Sequence, residues 1–442
     1  MYTDYVNVSQ DFLDEQQADG RTFKAKLVPV NCGQIISDEI FKISYRGQIG
    51  SSSENFELGT ANASQIEVSM EDTGIEVKNM EFTLFIGLVL PEESENEIEW
   101  IQIGIFVAEK PERKDGRIDF VAYDYMATKL NDVYYSELTY PCDIEDICIE
   151  IQQKTGVQFF PETLPYGITV NLMIESNDGV TVTYKPPLDG YTYREAIAII
   201  ASRLLKFAVV NRFGYVEFKW FKSAGIETLV DENSNVLLNE NENILVIDAP
   251  LEINQNDYYT NAHFLDDRYK IGYAQVSIGN DEGTVIRVGN GNCGVTVNGV
   301  LYSNANELEE QFQNIEDFAF TPLNNLSFKG NLLIDLGDIL RIQTVDNMVY
   351  RIPVTYLDFT FDGGLKTTIA SIAGNEQTEQ HQLSPMEKQI ARIVQKLAVV
   401  ENLMVTKQIT VGNVVGLEDY KENMLDGSLL LDSDMYEIGE VG

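Results

Sequence analysis

A mainly β fold, interrupted by an α+β insertion and closed by one long helix, is what this sequence predicts. Three observations carry the prediction. Short runs of alternating apolar and polar residues, separated by turn residues, fill most of the chain; there are 22 Tyr and 21 Phe against only 12 Pro; and in three places the period of the apolar residues switches from two to that of a helix. A chain of 442 residues is long enough for several hydrophobic cores. Its 44% hydrophobic content excludes general disorder.

The first stretch reads as strands from Phe23 to Val28, Glu39 to Tyr45, Ile66 to Ser69, Gly74 to Lys78, Glu81 to Leu90, Glu99 to Ala108 and Gly116 to Asp124, spaced as in a barrel or sandwich. Asp115-Gly116 is the signal of a tight hairpin. After Tyr140-Pro141 the pattern changes. Ile144, Ile147, Cys148 and Ile151 mark one face of a helix, with Gly156 as its C-terminal cap. Thr192 and Glu195 form a capping box ahead of the buried stripe Ala196, Ile197, Ile200, Ala201, Leu204 and Leu205. A hairpin follows, 207 to 210 and 215 to 221, turned by Asn211-Arg212-Phe213-Gly214.

Strands then return at Ile244 to Asp248, Ala274 to Ile278, Thr284 to Val288, Gly294 to Leu301, Ile339 to Thr344, Val349 to Phe361 and Gly364 to Ile372, with a short helix expected over Asn304 to Phe318. A second barrel is the natural reading. Ser384-Pro385-Met386-Glu387 starts the last helix. In it Met386, Ile390, Ile393, Leu397, Val400 and Met404 follow heptad spacing, and β-branched residues at the d positions 393 and 400 favour a trimer or higher state over a parallel dimer. The alternative is one amphipathic helix docked on its own domain. After Lys407 the chain is strand-like to Val415, then acidic and loop-like.

With 70 acidic against 31 basic residues, the net charge is −39. That argues against specific nucleic-acid binding and against anionic membrane surfaces. The N-terminus lacks signal-peptide features and no run approaches ~18 apolar residues, so a soluble product made in the cytoplasm, without membrane insertion, is expected. Cys32, Cys142, Cys148 and Cys293 are scattered without a CxxC pair, which suggests ordinary thiols.

Chemical motifs are weak. Gly289-Asn290-Gly291-Asn292-Cys293-Gly294 spells GxGxxG, but the next segment reads as a strand where a phosphate site needs a helix; a glycine-rich hairpin is expected. Asp231, Asn233, Asn235, Asn239 and Glu242 match five calcium-loop positions, with Val236 where glycine is required. A polar linker accounts for them, and a weak cation site there stays open. Only His263 and His381 are present, without a nucleophile or metalloprotease signature. No enzyme, cofactor or metal site is expected.

Several stretches resemble a known family. Ile103-Gly104-Ile105-Phe106-Val107-Ala108-Glu109 with Gly116 through Met126, then Tyr191 to Ala196 continued through Phe207 to Phe218, then Gly330-Asn331, Gly337-Asp338 and Asp362-Gly363-Gly364-Leu365, resemble tail hub proteins of phages and prophages, including baseplate hubs and the N-terminal part of tail-associated lysins. The resemblance implies two barrels like tail-tube modules, at 1–135 and 231–375, flanking an inserted helix-hairpin unit at 136–230. A linker and coiled-coil helix at 376–407, and a strand and acidic tail at 408–442, would complete the chain. It further implies a virion structural protein: a homotrimer lining the DNA channel, joining the sixfold tail tube or distal tail protein to threefold tip or receptor-binding proteins, with the tape-measure protein inside. A glycan-binding or glycan-degrading tail tip protein is the alternative.

Overall fold

The computed structural model describes residue 6 and residues 8–371, apart from 31–34, 38, 51–56, 92–93, 95–96, 178–180, 224, 229–245, 250, 261, 265–268, 279–283, 292, 317 and 345–346. The chain divides into two units, Met1–Gln377 and Thr378–Gly442, and every described residue belongs to the first. The heptad residues Met386 to Met404 and the calcium-like loop Asp231 to Glu242 lie outside the described residues.

The first strands are β1 (Phe23–Pro29), β2 (Ile40–Gln48), β3 (Gln65–Glu71), β4 (Glu81–Val89), β5 (Ile98–Lys114) and β6 (Arg117–Tyr123). Their alternation is the cause of their burial: in β1 Phe23, Ala25 and Leu27 point inward, while Lys24 is exposed. Asp115 and Gly116 both take positive φ, 53° and 80°, as a two-residue turn between right-twisted strands requires. The helices are α1 (Gln10–Gln17), α2 (Tyr125–Thr128), α3 (Ile144–Thr155), α4 (Tyr193–Arg203) and α5 (Ala305–Phe312). Gly156 caps α3 in the left-handed conformation, φ 74°, and the Thr192–Glu195 box starts α4.

The two expected barrels are replaced by a different arrangement. One nine-stranded antiparallel sheet runs β1-β4-β5-β6-β3-β2 and continues into Tyr356–Phe361, Leu365–Ser371 and Leu323–Lys329, so no closed barrel forms among the described residues. The physical reason is the outer edge of β2. Its backbone pairs with Tyr356–Phe361, Tyr45 stacks on Phe359 at 4.8 Å, and Arg46 faces Asp358 at 3.7 Å. Strands from both sides of the insertion are thereby fused. Three hydrophobic cores result: one under β1 to β6 with Phe359 and Phe361, one around α3 and α4, and one shared by residues 205–221 and 253–369.

Other departures are local. Residues 74–78 are irregular rather than a strand: Asp72 accepts from the Gly74 amide at 3.0 Å, and Gly74 and Asn79 take positive φ. The run 349–361 breaks into Val349–Pro353 and Tyr356–Phe361. Strand Leu323–Lys329 and helix α1 carry no clear sequence signal. The first hides its alternation behind a register shift between Leu323 and Leu326; the second buries only Phe12 and Gln16.

Candidate functional site

The densest concentration of buried charge among the described residues lies where the inserted hairpin meets the sheet. The turn 211–214 between Phe207–Val210 and Val216–Lys219 delivers the Arg212 side chain into this seam, 9% exposed. Arg212 Nε donates to both oxygens of Asp335 at 2.8 and 3.0 Å, Nη1 to the Gln102 carbonyl at 3.3 Å and Nη2 to the Ile334 carbonyl at 3.0 Å. Gln102 returns the contact, donating to the Arg212 carbonyl at 2.7 Å. A planar guanidinium suits this task, since its donors are fixed in a fork that a lysine lacks. Three segments, β5, the hairpin and residues 331–338, are held by one side chain.

Around it stand Glu217, Lys219 and Asp338, each buried. Asp338 Oδ2 accepts from the Asp335 amide at 2.7 Å, and burial, helped by the neighbouring Asp335 charge, pushes its pKa up to about 7. Glu217 accepts from Asn211 at 3.2 Å. Nearby, Asp124 caps α2 and accepts from the amides of Ser64 at 2.7 Å and Met126 at 2.9 Å. Burial raises it too, to about 7. Tyr45, whose hydroxyl lies 3.3 Å from Ser64 Oγ, is pushed up to about 12 by burial.

The seam encloses a cavity of ≈50 Å³ lined by Tyr45, Ser64, Arg212, Glu217, Lys219 and Asp335 among others. That volume suits a few waters; ligand pockets run to hundreds of Å³. The chemistry on offer is fastening. Gly337 belongs to the same joint: its φ is +88° and an added Cβ would come 2.7 Å from the Phe207 ring. Gly337→Ala is expected to cost roughly 2–3 kcal/mol, read as a lowered urea midpoint at unchanged slope.

The sequence-predicted features distribute plainly. The expected hairpin at Gly289 to Gly294 is instead a crossover: the strands Thr284–Gly289 and Gly294–Asn298 do not pair with each other but flank Tyr273–Ile278 on opposite sides. Its glycines serve backbone crossing, since a Cβ on Gly291 would stand 2.8 Å from Gly272 Cα and one on Gly294 2.3 Å from the Tyr273 carbonyl. Cys142 and Cys148 are buried and Cys293 exposed. His263 is exposed, and its carbonyl accepts from Asn324. Among the described residues no group of three or more His, Cys, Asp or Glu could hold a metal, and no helix is long and apolar enough to cross a membrane. No sequence pattern marks the seam: Arg212 reads only as part of a turn, and no motif singles out Asp335.

Fold and seam together define a β-rich scaffold whose segments are fastened by buried charge. No family model matches the chain, and no curated protein does. Solved structures it is similar to include tail proteins and a secretion component. A tail protein from Neisseria meningitidis MC58 has 9% identity and a TM-score of 0.43, covering 79% of this chain and 96% of that one. The 43 kDa tail protein of prophage MuSo2 from Shewanella oneidensis has 11% identity and a TM-score of 0.44, covering 78% and 97%. An Escherichia coli component of the type VI secretion system, described as structurally similar to the T4 bacteriophage tail proteins gp27 and gp5, has 12% identity and a TM-score of 0.31, covering 76% and 74%.

Proposed function

We propose that the chain is a structural, non-enzymatic tail hub of a phage or phage-like particle. One observation carries the reading: stretches that resemble tail hubs, far apart in sequence, converge on one seam. Ile103 of β5, Asp124 at the start of α2, Arg212 in the hairpin turn and Gly337-Asp338 all meet there. A scaffold under load needs segments that cannot slide, and a buried, multiply bonded arginine supplies that.

In the same reading the subunit forms a trimeric ring in the virion, lining the DNA channel between the sixfold tube and threefold tip parts, with a distal tail or tube protein above, the tape-measure protein within, and a tip or receptor-binding protein at the C-terminus. The seam Met386, Ile390, Ile393, Leu397, Val400 and Met404 is the trimer contact. The charge of −39 gives an acidic lumen that repels the duplex over about a Debye length, ~8 Å at physiological salt.

Light scattering on the purified chain tests the oligomer. Ile393→Asp with Val400→Asp puts two carboxylates per chain into the helix contact, at several kcal/mol each before relaxation, so a trimer should fall to monomer. The same mass with and without the changes rejects the coiled-coil contact. In a zymogram on host cell walls no clearing is expected; lysis would reject the structural reading.

A further inference from the structure

We propose that strand Thr284–Gly289 is a docking edge for a second copy of this chain: the same strand of two chains pairs antiparallel and joins two three-stranded sheets into one. This goes beyond the hub reading and does not depend on it.

The strand lies at the rim of the sheet it shares with Tyr273–Ile278 and Gly294–Asn298. Its inner face is occupied, since Ile286 and Val288 pack on the core shared by residues 205–221 and 253–369. Its outer edge is open: among the described residues no strand or bridge pairs there. An open edge invites another strand, and proteins blunt such edges with charged side chains, proline or a covering segment. Three other edges of this chain are blunted in those ways. β1 carries exposed Lys24, ends at Pro29 and is bridged by Ile36. Strand Val349–Pro353 has exposed Arg351 and ends in proline. Leu323–Lys329 is bridged at Leu323 by Phe264 and at Phe328 by Tyr258. Thr284–Gly289, Thr-Val-Ile-Arg-Val-Gly, has no lysine, no proline and no such bridge, and its β-branched residues favour pairing.

Charge selects the occupant. Two copies of a chain carrying −39 repel each other over most of their surface, yet from Thr284 to Ser303 the sequence holds no Asp or Glu. The one charge on the strand, Arg287, is turned back onto its own sheet. Its guanidinium lies 3.7 Å from the Tyr273 ring centroid, and Nη2 donates to the Gly291 carbonyl at 2.7 Å. Antiparallel pairing of like strands presents the same patch from both chains, as a twofold contact requires. Centred on Ile286, it sets Val285, 53% exposed, opposite Arg287 of the partner subunit, whose alkyl stem covers the valine. Neither arginine then faces its twin, which would be destabilising.

Hydrogen exchange read by mass spectrometry tests this on the full chain. It is run on the wild type and on the Ile393→Asp, Val400→Asp variant, so that failure of the helix contact and failure of this one are read separately. Peptides covering 284–289 should gain protection roughly tenfold between about 1 and about 100 μM chain, as mass action gives for amides protected only in the pair. Peptides from β1 and from 349–353 should not change. Light scattering on the double variant should show twice the chain mass at the higher concentration. Val285→Lys, which puts an ammonium on the exposed edge, should abolish both changes. Val349→Lys, at a similarly exposed position on another edge strand, should leave both. Protection at 284–289 that does not depend on concentration, a pair that survives Val285→Lys, or one that Val349→Lys also breaks would each overturn the contact.

Discussion

Arg212→Ala should destabilise the chain by about 2–4 kcal/mol, because it removes a buried guanidinium and leaves a half-exposed carboxylate and two carbonyls without their donors. The Asp335 carboxylate loses two bonds, and the carbonyls of Gln102 and Ile334 lose one each. Arg212→Lys should recover only part of the loss, since an ammonium cannot reach Asp335 and both carbonyls at once. Urea unfolding followed by the fluorescence of Trp220, which packs on Phe221 and Phe318, reads the change where it matters. A loss below about 1 kcal/mol, the range of exposed ion pairs, would show that the seam is solvated and not a fastener.

Local signals were legible because each acts within a few residues. The capping box of α4, the Gly156 cap of α3 and the Asp115-Gly116 turn all depend on contacts no more than five positions apart, and all three form. The sheet order was not legible. Nothing in β2 announces that its outer edge will pair with Tyr356–Phe361, some 300 positions on; the alternation of β2 fits a closed barrel equally well. The same applies to the candidate site. Arg212 meets Asp335 across 123 positions, and an arginine in an Asn-Arg-Phe-Gly turn looks like an exposed turn residue until the fold buries it. Leu323–Lys329 failed for a different reason: the paired asparagines 324 and 325 carry a turn composition, and tertiary pairing with Leu365–Ser371 overrides it.

Stability should fall as pH rises from about 4 to about 7, opposite to the usual behaviour of paired carboxylates. Asp124 shows why. Its carboxylate is 3% exposed, and burial outweighs the amides of Ser64 and Met126 to raise it to about 7. In the unfolded chain an aspartate ionises near ~3.9. Between those values the folded state holds a proton that the unfolded state has released, so proton binding favours folding and stability declines with rising pH. Below pH 4 both states are protonated and above pH 7 both are ionised, so this contribution is then constant. A difference of about three units corresponds to at most ~4 kcal/mol across the window. Asp72 runs the other way, held low by the Gly74 amide and by Arg113, but it lies on the surface and screening leaves it little weight. Asp124→Asn can keep one amide bond and carries no charge at any pH, so its denaturant midpoint should vary less between pH 4.5 and 7.5 than that of the wild type, measured in 0.5 M salt to suppress the repulsion of the −39 surface. Parallel pH profiles for the two proteins would mean that Asp124 ionises normally in the folded chain, with water reaching it beneath Ser64.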